Sequence, residues 1–262
     1  MRRIGLASGV VPEIGPVETV RAAAAGGWDM VGLWVEPEHW SDATTREVVA
    51  AVTDTGLGVI DVEVIWIKPG PLDPAHLHIL DIGVALGASN ALVVSSDPDT
   101  GATAAKFAAL CAHITDTPLR PALEFGLFTE VKTIGAASAI LDAVAHPAAA
   151  LLIDTLHFTR SGGTIADIAA VPCHRLSYAQ ICDAAFPGAD PGDAEAILEE
   201  AVHGRLQTGD GGLDIAGVLG ALPPDLPLSI ELRSRALYAG WPDPAARSRV
   251  TAEATRAFLS RS

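Results

Sequence analysis

Short apolar runs alternate with alanine-rich stretches of helical periodicity from one end of the chain to the other, and this alternation limits the fold more than any other feature. An apolar run of about four to eight residues reads as a strand buried on both faces. A helix that carries the chain back between two such strands makes them parallel. The runs fall at residues 3–8, 30–35, 58–67, 90–95, 120–125, 149–154, 175–181 and 228–232, which makes eight strands. Helices are expected at 16–25, 44–55, 74–86, 102–115, 133–145, 164–170 and 244–260. Two further helical patches, 193–203 and 215–221, flank the glycine-rich stretch 204–212, which reads as an active-site loop. An open doubly wound sheet shows the same alternation, but Gly5-Leu6-Ala7-Ser8-Gly9-Val10 lacks the G-x-G-x-x-G turn that usually opens it. The expected fold is α/β, a single (β/α)8 TIM barrel over residues 1–262.

Composition narrows the partners. A formal net charge of −15 repels phosphate backbones and anionic membrane surfaces, which argues against nucleic acid and membranes. Cys111, Cys173 and Cys182 form neither a C-x-x-C pair nor a disulfide framework, and the two arginines at the N-terminus precede an apolar run too short for a signal peptide. Both point to the cytoplasm.

In a barrel of this kind, polar side chains at the C-terminal strand ends converge on one mouth. Here the fifth strand ends in Leu123-Glu124, the sixth in Ile153-Asp154, the seventh in Ala179-Gln180 and the eighth in Ile230-Glu231. Three carboxylates buried together resist ionisation unless a cation replaces their lost hydration. Carboxylates with an amide oxygen suit a hard ion, Mn²⁺ or Mg²⁺, more than zinc. Period-two alternation in the third run puts Asp61, Glu63 and Ile65 on one face, with Glu63 a candidate for the lumen. Trp34 and Trp66 could wall a pocket, Glu36 and His39 are looser candidates for polar contacts, and Cys182 reads as packing.

From Glu124 to Glu231 the chain resembles the sugar isomerase and epimerase family related to xylose isomerase. That family has a metal-binding Glu after strand five, Asp-x-x-His after strand six and a metal-binding Glu after strand eight; this chain has Glu124, Asp154-Thr155-Leu156-His157 and Glu231. Glu130 matches a second family Glu six residues after the first, and Arg205 stands where similar proteins carry an arginine before a glycine-rich turn. The departure is at strand seven, where the usual His-x-x-Asp is Gln180-Ile181-Cys182-Asp183.

The resemblance implies a divalent-metal site of Glu124, Asp154, Gln180 and Glu231, with His157, Arg205, Glu130, Glu63, Trp34 and Trp66 toward the substrate. It also implies a sugar or polyhydroxy-ketone substrate, proton exchange through an enediolate by Glu124 and Glu231 from opposite faces, and a homodimer. Three alternatives stay open: a dehydratase or lyase using the same enolate, a phosphate-ester hydrolase, and a non-catalytic ligand-binding barrel.

Overall fold

The structure is a computed structural model that describes residues 2–261. Its eight strands are β1 (Ile4–Leu6), β2 (Met30–Trp34), β3 (Gly58–Ile67), β4 (Asn90–Ser95), β5 (Arg120–Glu124), β6 (Ala150–Asp154), β7 (Leu176–Ile181) and β8 (Leu228–Ile230). Each pairs in parallel with its neighbours in sequence, and β1 pairs with β8 to close the sheet. The chain therefore folds as the expected (β/α)8 TIM barrel.

The helices begin where the sequence supplies an oxygen for their free N–H groups. Asp73, Asp99, Asp193, Asp214 and Asp243 each accept from a first-turn amide, and Pro16, Pro74 and Pro244 stand at positions that need no amide donor. Much of the chain's aspartate is thus used in capping, which accounts in part for its negative charge. Gly27 and Gly56 close the first two helices at φ of 72° and 71°, left-handed values that suit glycine. Among the described residues no helix is long and apolar enough to cross a membrane.

Two apolar layers result. The larger lies between the sheet and its outer helices and includes Leu123, Leu151, Ile153, Ala179, Leu228 and Ile230. The smaller fills the barrel with Met30, Ile60, Leu92, Val94, Ala122, Ala150, Leu152 and Tyr178. Alternation is regular on β5, β6 and β8, slips at the start of β7, where the register against β6 shifts and Leu176 joins the outer layer, and fails on β3. There the register shifts against β2 between Val31 and Gly32 and against β4 between Val62 and Ile65. As a result Ile65 joins the outer layer while Val64 and Trp66 pack on the inner one, so the expected shared face of Asp61, Glu63 and Ile65 does not hold at Ile65.

Two short helices escaped the sequence pattern, Thr155–Arg160 directly after β6 and Arg235–Gly240 after β8. At six residues each, neither is long enough to show a periodic apolar face. The glycine-rich stretch after β7 is not loose. Buried Asp183 exchanges both backbone hydrogen bonds with Leu206, and its carboxylate accepts from the amides of Ala184, Gly209 and Leu213. Asp183→Ala would strand those amides and should cost about 3 kcal/mol in chemical denaturation. Limited proteolysis should then cut near residues 207–213, whereas a variant as stable and resistant as the wild type would mean that the loop holds itself.

Candidate functional site

Alternation turns Glu124, Asp154 and Gln180 inward at the C-terminal ends of β5, β6 and β7 and Glu231 inward just beyond β8, and all four are buried. Glu63 comes in from β3. Glu63, Glu124, Gln180 and Glu231 line one cavity of about 160 Å³ together with His157, Arg205 and Arg233. Its wall is apolar and aromatic, with Trp34, Val64, Trp66, Leu92, Val94 and Phe128. Trp66 meets Phe128 edge-on with ring centres 6.0 Å apart, and Phe128 lies 4.5 Å from the His157 ring. The Trp66 indole donates to Ser96 Oγ at 2.6 Å, which leaves its ring as wall.

Asp154 lies behind this cavity, not on its surface, and its two oxygens have separate tasks. Oδ1 accepts from the amides of Leu156 and His157, capping the short helix that presents His157. Oδ2 accepts from Arg205 Nη1 at 2.6 Å. Burial, the largest single influence, would raise this carboxyl, but Arg205, His157 and the capping amide together outweigh it and hold Asp154 below the usual carboxylate range. Arg205 is committed in turn: Nε donates to Ala201 O, Nη1 also reaches Cys182 Sγ and Glu231 O, and Nη2 lies 3.2 Å from His157 Nε2. Its guanidinium is thus a buried strut that lines the cavity with each of its nitrogens already bonded within the protein.

That contact sets the tautomer of His157. Arginine only donates, so Nε2 accepts and the neutral ring carries its proton on Nδ1. Burial lowers the imidazole to about 4, which keeps it neutral near pH 7. Burial also pushes the Cys182 thiol up to about 12, in keeping with its reading as packing.

The other acids are less well compensated. Glu231 Oε1 accepts from Arg233 Nε at 2.7 Å, while its Oε2 is buried without a partner. Glu63 Oε1 accepts from Ser8 Oγ at 2.5 Å, and burial, then Glu231, raises its carboxyl to about 7. Glu124 has no hydrogen-bond or ion-pair partner among the described residues; burial and then Asp154 hold it well above the usual range. Deeper still, the buried carboxylate of Asp61 has only the Tyr178 hydroxyl beside it, and burial, Glu63 and Glu231 raise it strongly against that contact. Space here is tight: a Cβ on Gly32 would lie 2.3 Å from Asp61 Oδ1, and one on Gly9 would lie 2.6 Å from Glu231 Oε1.

Glu130 is not brought to this cavity; its carboxylate is half exposed and faces Lys132 at 3.4 Å. Glu36 and His39 face each other at 3.2 Å and line neighbouring cavities. Sequence reasoning did not single out Ser8, although it ends the first expected strand, placed Asp61 only on the face of Glu63, and missed Phe128 and Arg233. The last had a usable signal, lying two residues after Glu231.

The donors fit a hard divalent cation. Glu124, Asp154 and His157 each offer a ligand atom within 4.8 Å of the others, but the His157 lone pair is taken by Arg205. The uncommitted oxygens are those of Glu124, Glu231 Oε2 and the remaining lone pair of Asp154 Oδ2, with the Gln180 amide lining the same cavity. Oxygen donors and surplus negative charge are what Mg²⁺ or Mn²⁺ requires.

No family model matches the chain, and no curated relative matches it. Solved structures do. A xylose isomerase-like TIM barrel/4-hydroxyphenylpyruvate dioxygenase fusion protein matches at 20% identity and a TM-score of 0.80 over 97% of this chain, which spans 42% of that protein. The IolI protein with a bound zinc atom matches at 15% identity and a TM-score of 0.83, covering 99% of this chain and 98% of that one. D-allulose 3-epimerase from Methylomonas sp., in complex with D-allulose, matches at 16% identity and a TM-score of 0.70 over 97% and 96% of the two chains. These likenesses show that the chain has the xylose isomerase-like TIM-barrel fold.

The uncompensated acids have a stability consequence. Glu63 binds its proton more tightly in the fold than in the unfolded chain, so it opposes folding progressively from about pH 4.5 to about 7 and fully above that. Glu63→Gln should therefore stabilise the metal-free protein at pH 8 by roughly 1–3 kcal/mol and do little at pH 4.5. Thermal melting at both pH values checks this; destabilisation at pH 8 would show that the Ser8 hydrogen bond outweighs the charge.

Proposed function

We propose that Glu124, Asp154, Gln180 and Glu231 hold one divalent ion, Mn²⁺ or Mg²⁺, and that the protein is an isomerase or epimerase moving a proton next to the carbonyl of a sugar or polyhydroxy ketone. One observation carries the reading: Glu124 and Glu231 enter the same buried cavity from β5 and β8, each with oxygen unclaimed by the protein. Support comes also from the zinc bound by the IolI neighbour and the sugar bound by the epimerase neighbour.

When bound, the ion supplies Lewis acidity that makes a C–H beside the carbonyl removable. The protein's residues do the rest. Glu124 and Glu231 take and return the proton from different arcs of the ring. Arg233 holds one oxygen of Glu231 and so fixes which oxygen is free. Arg205 holds Asp154 ionised and keeps the His157 proton on Nδ1. Trp66 and Phe128 exclude water from one side of the cavity.

A second reading, dehydration through the same deprotonated substrate, is favoured by His157: a neutral imidazole with a proton on Nδ1 lines the cavity and can hydrogen-bond a departing hydroxyl, which would leave as water with the proton the glutamate took from carbon.

Glu124→Gln and Glu231→Gln keep size and an oxygen ligand but remove the base. Each should fold normally and lose turnover by roughly a hundredfold or more. The wild type with Mn²⁺ should place solvent deuterium on the carbon beside the substrate carbonyl, and product analysis separates epimer from dehydrated product. Normal turnover by both variants, or turnover without exchange into carbon, would overturn the proton-transfer reading.

A further inference from the structure

Two buried or half-buried guanidiniums reach the cavity, and they are not equivalent. Every nitrogen of Arg205 has an acceptor within the protein. Arg233 hydrogen-bonds only through Nε, to Glu231, and its two terminal nitrogens have no hydrogen-bond partner among the described residues, although its charge also acts on Glu63. Its side chain is 23% exposed, and the guanidinium carbon lies 5.5 Å from the centre of the Trp34 ring. The Glu231 contact at one end and the Trp34 face along its plane hold the fork in place, which lowers the cost of ordering it around a ligand. Neutralising Glu231 needs only the Nε–H, so the remaining N–H groups are available.

In a chain of net charge −15, an anionic substrate needs a local cation to enter at all. A guanidinium fork matches the two oxygens of a carboxylate. The wall supplies the second half of the argument. Val64, Trp66, Leu92, Val94 and Phe128 offer carbon, not hydrogen bonds, so the substrate face laid against them presents C–H and not hydroxyl. The cavity is also small, about 160 Å³. A compact monoanion fits it better than a phosphate ester, whose dianion would face a single arginine.

Resting on the proposed proton-transfer reading, we infer that the substrate is a carboxylate-bearing keto-polyol whose carboxylate pairs with the free fork of Arg233, its hydrocarbon face lying on the Trp66–Phe128 wall. Arg233 is then the residue that selects acids over neutral sugars, a role the glycine-rich loop's Arg205 is too committed to fill.

Calorimetric titration of Mg²⁺-loaded protein with two matched pairs tests this: 2-keto-D-gluconate against D-fructose, and cyclohexanecarboxylate against cyclohexanol. At least one acid should bind tenfold or more tightly than its neutral partner, as a charge-assisted pair in a dry site allows. Arg233→Gln, with folding checked by thermal melting, should bring that ratio to within about threefold. Arg233→Lys, which keeps the charge but loses the fork, should leave it in between. Equal affinity in both pairs, or a preference that survives Arg233→Gln, overturns the inference. Solvent deuterium exchange into 2-keto-D-gluconate is scored separately: an Arg233-dependent preference without exchange upholds the anion site and counts against proton transfer.

Discussion

A carboxylate taken out of water must recover its lost hydration from hydrogen bonds, from a cation or from a proton. The barrel mouth is organised around that requirement and meets it unevenly. Asp154 is fully supplied, with two amides on one oxygen and Arg205 on the other. Glu231 is half supplied by Arg233, and Glu63 has one hydroxyl from Ser8. Glu124 has no hydrogen-bond or ion-pair partner among the described residues, only the field of Arg205. The deficit lies where an added cation would sit, and the best-supplied acid is the one that also caps a helix and anchors a loop arginine.

The fold delivers this arrangement by a simple rule. Toward the C-terminal ends of β5 to β8 every second side chain points inward, so Ala122, Ala150, Leu152 and Tyr178 fill the interior and the next inward residues are Glu124, Asp154, Gln180 and, just after β8, Glu231. The apolar layers beneath hold the strands at their spacing, and the acids pay no packing role of their own. Asp183 then ties the loop after β7 to its strand, which brings Arg205 back over Asp154.

This rule explains what could be read without coordinates. The eight runs and the oxygen-bearing ends of β5 to β8 were legible because strand periodicity and the ends of apolar runs are local signals. Glu63 was legible as an inward candidate, but Ile65 was not placed, because two register shifts interrupt β3 and no composition marks them. The commitment of Arg205 was hidden because it depends on a loop geometry set by Asp183 and spans 51 positions to Asp154. The family resemblance put Glu130 toward the substrate, yet its loop turns the side chain out to Lys132. Arg233 went unread although it follows Glu231 by two residues, since past the last strand residue alternation no longer says where a side chain points.

The central claim is that the unmatched acids form the seat of one divalent ion. Calorimetric titration of metal-stripped protein with Mn²⁺ at neutral pH, joined to melting curves, tests it most directly. The account predicts one ion per chain and a melting temperature that rises with ion concentration, since an ion bound by the folded state alone stabilises it. Protein that takes up no Mn²⁺ or Mg²⁺, and melts at the same temperature with and without them, would contradict it.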